Sequence, residues 1–190
     1  NCLKTGSTLV TGSKMHATGL TSCIEKTAEA IGWGKKAPAS APNKRRGKGL
    51  ALMWKAPAMP PNAGSSAWVE LAEDGTVNVG VGGQEIGQGV FTVAAQMAAG
   101  ALGVPYESVR IATPVDTRYS PYEWQTVASR LTWSMGNAVV NAAKDAKRQI
   151  LDTVAEAWEE PVEDLDIVNG VVISYKTEKE IPLKNLVVYG

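Results

Sequence analysis

Histidine and cysteine are almost missing from this chain. His16 is the only histidine, and Cys2 and Cys23 are the only cysteines, among 190 residues. A Ser-His-Asp triad or a His-based zinc site would have to be built on His16 alone. Two cysteines are too few for a disulfide framework or a Cys-rich metal site, and they read as unpaired thiols in a reducing compartment, the cytoplasm. Net charge is missing as well, with 19 Lys and Arg against 19 Asp and Glu. No global field therefore draws the chain to nucleic acid or to an anionic membrane. No apolar run approaches the roughly 20 residues of a membrane span. No charged n-region and apolar h-region mark a secretory signal. What is left is an ordinary globular composition, long enough for one good-sized core or two small ones. The chain opens on Asn1 and closes at Gly190, after the apolar Leu186-Val187-Val188-Tyr189. It is expected to be a segment of a longer polypeptide.

Residues 1–46 hold a glycine-punctuated start, one helix and a basic, Pro-containing linker. Ser22-Cys23-Ile24-Glu25 fits a capping box, and Ile24, Ala28 and Ile31 then fall on one helical face. Gly32 or Gly34 can end that helix. Lys35, Lys36, Lys44, Arg45, Arg46 and Lys48 follow without an intervening acid. They read either as a solvated connection or as a surface for phosphate or a partner subunit. From residue 47 the pattern is that of strands and helices. Leu50, Leu52 and Trp54 alternate. Ala67, Val69 and Leu71 alternate too, Asp74-Gly75 offers a tight turn, and Val77, Val79 and Val81 alternate again. Residues 90–102 form an Ala-rich helix with Val90, Val93, Ala94, Met97, Ala98 and Ala101 on one stripe, stopped by Gly103.

Residues 109–112 read as a short strand and 113–127 as a polar, aromatic loop. The longest helix is expected over 137–158, with Val139, Ala143, Ala146, Ile150, Val154 and Ala157 in step. Residues 166–175 read as a hairpin about Asn169-Gly170. Paired strands followed by helices indicate an α+β fold, with mixed or antiparallel sheets and helices packed on them.

Two corners carry chemistry. Gly82-Gly83-Gln84-Glu85-Ile86-Gly87-Gln88-Gly89 leaves a strand and opens a helix. Glycines admit positive φ and close approach, successive amides make an anion-binding concavity, and the helix adds its own N–H groups. Gln88 brings a side-chain amide that both donates and accepts. The dinucleotide fingerprint fails because Gly80-Val81-Gly82-Gly83-Gln84-Glu85 ends in Glu, and no Lys-Ser or Lys-Thr completes a P-loop. A purely structural strand-to-helix turn explains the same residues. In the second corner, Ala128-Ser129-Arg130-Leu131-Thr132 supplies hydroxyls and a charged fork suited to phosphate. The alternative is a helix N-cap by Ser129 or Thr132 with a surface Arg. Gly136-Asn137-Ala138 is a point of close packing.

Together these segments resemble the molybdenum-binding large subunit of the xanthine oxidase/aldehyde oxidoreductase family. Gly83 through Gly89 is similar to that family's Gly-x-Glu-(Met/Ile)-Gly-Gln-Gly segment, and Ala128–Thr132 with Gly136-Asn137-Ala138 to its second cofactor segment. Gly47-Lys48-Gly49-Leu50-Ala51, the Asp74-Gly75-Thr76-Val77 turn and the helix near 19–31 resemble it too.

The resemblance implies the following. Residues 47–190 form a molybdopterin-binding α+β domain, with 1–46 part of the same region. Gly83, Gln84, Glu85, Ile86, Gly87, Gln88, Gly89, Ala128, Ser129, Arg130 and Thr132 bind the cofactor. Gln88 sits near the molybdenum oxo ligand, and no residue of this segment ligates the metal directly. The cofactor is molybdopterin, in the cytosine dinucleotide form usual for bacterial members. Iron–sulfur clusters and FAD lie on partner subunits or domains, and a small molecule is the substrate; no nucleic acid or membrane is involved. The activity is oxidation of an aldehyde or an N-heterocycle such as a purine, with water as the oxygen source. The family's base is a glutamate in a Gly-x-Gly-Glu-type segment absent here, so the segment carries no catalytic residue and is expected to be inactive alone. Glu85 is read as a brace for the glycine loop rather than as that base. Two other readings stay open: a metal-free interaction or assembly domain that keeps the fold, and an unrelated phosphate- or nucleotide-binding module.

Overall fold

The computed structural model describes residues 2–53, 55 and 60–186. The chain divides into two compact units, Asn1–Ala56 and Pro57–Gly190. Trp54, Val187, Val188 and Tyr189 lie outside the described residues.

In the first unit a β-bridge joins Thr8 to Lys14, and α1 spans Leu20–Ala30. The helix starts before the expected capping box. Gly19 is its N-cap, without a side-chain cap, and Thr18 Oγ1 accepts the Leu20 N–H at 3.2 Å. Thr18 therefore takes the part expected of Ser22, which lies inside the first turn. The helix ends as expected, on Gly32 at φ +60°. The N–H of Trp33 reaches Ala28 O at 2.8 Å and that of Gly32 reaches Glu29 O at 2.9 Å, the paired bonds of a Schellman end. Leu20, Ile24, Ala28 and Ile31 form its half-buried stripe. Residues 47–53 are not a strand, despite the alternation of Leu50 and Leu52. Alternation marks a face, but a strand also needs a neighbour to complete its ladder, and none is present among the described residues. In the basic loop, Lys48 Nζ donates to Gly32 O at 2.6 Å. Lys35, Lys36, Lys44, Arg45 and Arg46 are exposed.

The second unit holds two three-stranded sheets. β1 (Ala67–Leu71) pairs antiparallel with β2 (Val77–Val81). Asp74 Oδ1 shapes the turn between them by accepting the Thr76 N–H at 2.9 Å. α2 (Val90–Leu102) crosses over to β3 (Val109–Ile111), which runs parallel to β2. Trp68 lies opposite Gly80, and its ring covers that glycine so closely that a Cβ there would meet Trp68 Cε2 at 2.0 Å. β4 (Leu165–Val168) and β5 (Val171–Ser174) form the expected hairpin, and β6 (Glu180–Pro182) adds an antiparallel third strand. Asn169 and Gly170 both have positive φ, 56° and 79°, as a two-residue hairpin turn requires. β6 was not expected: three residues ending in proline carry no alternation to read.

α3 (Leu131–Trp158) begins six residues before the expected start. Leu131 and Met135 are buried and extend its stripe by two further steps, but the intervening Thr132-Trp133-Ser134 masks the period. At the other end Leu151 is buried while Ala157 is exposed, so the stripe turns away from the expected line. The buried face of α2 is also rotated, to Val90, Ala94, Ala95, Ala98, Ala99 and Leu102. Its alanines allow α3 to pack tightly, and a Cβ on Gly136 would meet Met97 Sδ at 2.6 Å. These two helices cover Val77, Val79 and Val81 of β2 in one core, which continues to Leu165, Ile167 and Val172 of the second sheet. Among the described residues, no helix is long and apolar enough to cross a membrane.

Candidate functional site

β2 leads into Gly82-Gly83, where close approach is the requirement. A Cβ on Gly82 would lie 2.3 Å from Pro121 O, and one on Gly83 would lie 2.8 Å from Met135 Sδ. Gly82 seats the strand end against the 113–127 loop, and Gly83 seats it against the first turns of α3. Beyond them the loop folds on itself. Glu85 Oε1 accepts the N–H groups of Gly87 at 2.8 Å and Gly89 at 2.9 Å, and Oε2 accepts that of Phe91 at 3.3 Å. The Gly89 N–H foremost, with those of Phe91, Gly87 and Val90, holds the Glu85 carboxyl below its usual range of 4.5. Glu85 is thus the brace expected of it. The expectation that these amides face a bound anion is corrected, because Glu85 already occupies them. Gln88 is engaged as well: Oε1 accepts the Ile86 N–H at 2.7 Å, and Nε2 donates to Gln84 O at 2.8 Å.

The second corner is tighter. Ala128 and Ser129 have φ of 51° and 59°, two successive non-glycine residues in the left-handed region, at about 1–2 kcal/mol each. Arg130 follows as the N-cap of α3 with αR geometry and no side-chain cap, so neither Ser129 nor Thr132 caps this helix. Among the described residues, the N–H groups of Leu131 and Thr132 meet no acceptor. They stand at the positive end of a long helix dipole. The expectation that the Arg130 guanidinium is free for phosphate is corrected. It is buried, ion-paired with Glu123, and donates to Gln125 O, Ala63 O, Gly64 O, Ser65 Oγ and Ser134 Oγ.

The two corners share one hollow of about 340 Å³, lined by Ile86, Gln88, Val90 and Val93 on one side and by Thr126 through Thr132 on the other. Of the residues predicted for the site, Ile86, Gln88, Ala128, Ser129, Arg130 and Thr132 meet there. Gly83, Gln84, Glu85, Gly87 and Gly89 do not line the hollow. Thr126 was missed, although its Oγ1 accepts the Gln84 N–H at 2.9 Å and so ties one corner to the other. Its place two residues ahead of Ala128-Ser129 was the available signal. The aromatics of the 113–127 loop do not line this hollow. Tyr119 and Tyr122 are exposed, and Trp124 packs under Arg130, 5.7 Å from guanidinium carbon to ring centre.

The donor set suits an anionic, hydrogen-bonding ligand: open helix N–H groups, the Ser129 and Thr132 hydroxyls and one side of the Gln88 amide, between apolar walls from Ile86, Val90 and Val93. A phosphate and a flat, polar-edged ring are both accommodated by such chemistry. Among the described residues no group of three or more His, Cys, Asp or Glu could hold a metal ion.

Comparison with known proteins agrees with this chemistry. The pattern defining the molybdopterin cofactor-binding domain matches residues 26–189, and the chain belongs to that family. It is 31% identical to the putative xanthine dehydrogenase molybdenum-binding subunit of Escherichia coli K12, over 93% of this chain and 24% of that protein. The chain thus spans about a quarter of the length of that relative. Among solved structures, quinoline 2-oxidoreductase from Pseudomonas putida 86 matches with a TM-score of 0.58 and 29% identity, over 65% of this chain and 16% of its own. The CO dehydrogenase from Oligotropha carboxidovorans matches with a TM-score of 0.59 and 28% identity, over 65% and 15%. The α+β arrangement is the fold shared with these two enzymes.

Proposed function

We propose that this chain is the cofactor-holding segment of a cytoplasmic molybdenum hydroxylase that oxidises an aldehyde or an N-heterocycle with water as the oxygen source. The single observation that carries the reading is the shared hollow, with Gln88 on one wall and the open α3 amides on the other. Ser129, Thr132 and the first-turn amides of α3 hold the phosphate-bearing part of molybdopterin in its cytosine dinucleotide form. Ile86 and Gln88 face the pterin, with Gln88 turned towards the molybdenum, and Gly87 and Gly89 shape the loop that presents them. Gly83, Gln84 and Glu85 shape that wall without touching the ligand. The helix and basic linker of residues 1–46 belong to the same cofactor-binding region as 47–190.

When bound, the cofactor supplies two-electron oxidation and transfer of a water-derived oxygen to an electron-poor carbon. This chain's residues orient it and keep its anionic part neutralised by fixed N–H dipoles. A base outside this segment would take the water proton, and iron–sulfur and flavin groups on partner subunits or domains would receive the electrons.

The test is metal and pterin analysis of the full-length protein from a molybdenum-competent host, followed by a substrate screen with an artificial electron acceptor. About one molybdenum and one pterin per chain, with turnover of a heterocycle or aldehyde, is expected. A folded protein free of both overturns the reading and returns it to an assembly domain.

A further inference from the structure

Arg130 and Glu123 are the least expected pair in this unit. Their side chains are 6% and 3% exposed, and they meet in a short ion pair. Burying two charges costs several kcal/mol per ion, and replacing such a pair with apolar side chains is often neutral or stabilising. Glu123 makes the arrangement costlier still, because its Oε2 is buried with no hydrogen-bond partner among the described residues. Stability alone is therefore a poor reason for this pair.

Its connections suggest another. One guanidinium joins three separate stretches of chain. Nη2 donates to Ala63 O at 2.7 Å, Gly64 O at 3.1 Å and Ser65 Oγ at 3.1 Å, ahead of β1. It also donates to Ser134 Oγ at 2.8 Å, inside α3. Nη1 donates to Gln125 O at 3.0 Å and pairs with Glu123. The stretch bearing Glu123 is itself held down by a bridge to Ser65. The Trp124 N–H reaches Gly64 O at 3.2 Å, and the Ser66 N–H reaches Tyr122 O at 2.8 Å. All these bonds converge immediately beside the left-handed residues Ala128 and Ser129.

We infer that Arg130 and Glu123 are positioning residues: their buried pair clamps the 128–132 corner so that its amides and hydroxyls face the hollow. Arg130 acts behind the binding surface and does not meet the ligand phosphate through its guanidinium. The inference rests on the proposed function for its ligand, but not for its geometry.

Glu123→Gln separates the clamp from direct binding. If Arg130 binds phosphate itself, this variant frees its guanidinium, and cofactor content holds or rises. If the pair is a clamp, content falls as it does in Arg130→Gln. Full-length wild type, E123Q, R130Q and the surface control R110Q are purified together. Molybdenum and pterin per folded chain are measured, and amide hydrogen exchange is followed at Ser66, Gln84, Trp124, Arg130 and Ser134. The clamp predicts that E123Q loses at least tenfold in bound cofactor. It also predicts at least tenfold faster exchange at those amides, unchanged exchange in β4 and β5, and no change in R110Q. Normal cofactor content in E123Q overturns the inference, and so does a loss of cofactor without faster local exchange. If wild type carries no pterin the proposed function fails, and exchange alone then decides the clamp: unchanged rates in E123Q refute it.

Discussion

The hydroxyl of Thr126 accepts the backbone N–H of Gln84 at 2.9 Å, across 42 residues of sequence. It is a side-chain bond from one corner of the hollow to the backbone of the other, so it sets their spacing. Thr126→Val keeps the shape and removes the acceptor. The expected loss is about 0.5–1.5 kcal/mol in denaturant unfolding, with weaker retention of pterin by the full-length protein. Unchanged stability and unchanged retention would show that the spacing is set elsewhere.

The glycine loop is expected to depend on pH through Glu85. Its folded pKa is depressed by the Gly89 N–H first and then by its neighbours. A depressed carboxyl contributes stability that is present above the unfolded pKa and lost as pH falls through the folded one. Glu85→Gln should therefore unfold at lower denaturant than wild type at pH 7. That gap should narrow only below the ordinary carboxylate value of 4.5. A gap that persists unchanged to the lowest pH at which the protein folds would assign the effect to shape rather than charge.

A second carboxylate gives a wider window. Glu160 is lowered from 4.5 to about 2, by the Ser174 hydroxyl first and then by Lys179 and Thr177. It ties the end of α3 to β5, with Ser174 Oγ 2.5 Å and Lys179 Nζ 2.9 Å from its oxygens. The wild-type advantage over Glu160→Gln should be complete above about pH 5 and fade as pH falls towards 2. Thermal melts of both proteins across that range are the measurement.

Two glycines of α2 should respond in opposite directions. Gly103 closes the helix at φ +88°, and a Cβ there would lie 2.0 Å from Ile167 O. Gly103→Ala is expected to cost roughly 3 kcal/mol or more, since left-handed strain adds to a clash with backbone. Gly100 lies inside the same helix, exposed, with nothing within 4 Å of a Cβ. Gly100→Ala should stabilise by about 0.5–1 kcal/mol. Equal effects from the two would contradict this account of the helix end.

The features legible in the sequence are those whose cause is local. Asp74-Gly75 and Asn169-Gly170 announce their hairpins because the turn conformation itself demands those residues. Gly103 announces the end of α2 for the same reason. The start of α3 was hidden because Leu131 and Met135 flank a stretch with no apolar period, and only contact with β2 and α2 makes them core. The strand expected at Leu50 and Leu52 failed for the converse reason, a pattern without a partner. At the hollow, residue types were readable but directions were not. Nothing local says that Arg130 points inward or that Glu123 matters at all. Those follow from which distant carbonyls and amides the fold brings within reach.

α3 is 28 residues long, roughly 42 Å from end to end. Its first turn meets the hollow, and its last turns rest on β4. The helix is therefore a lever: tilting it by about one degree about the far end swings the corner by roughly 0.7 Å at that length. Alignment at the hollow is surveyed in part from the opposite side of the unit. A substitution beneath Leu151 or Val154 can thus misplace Ser129 without touching anything near it.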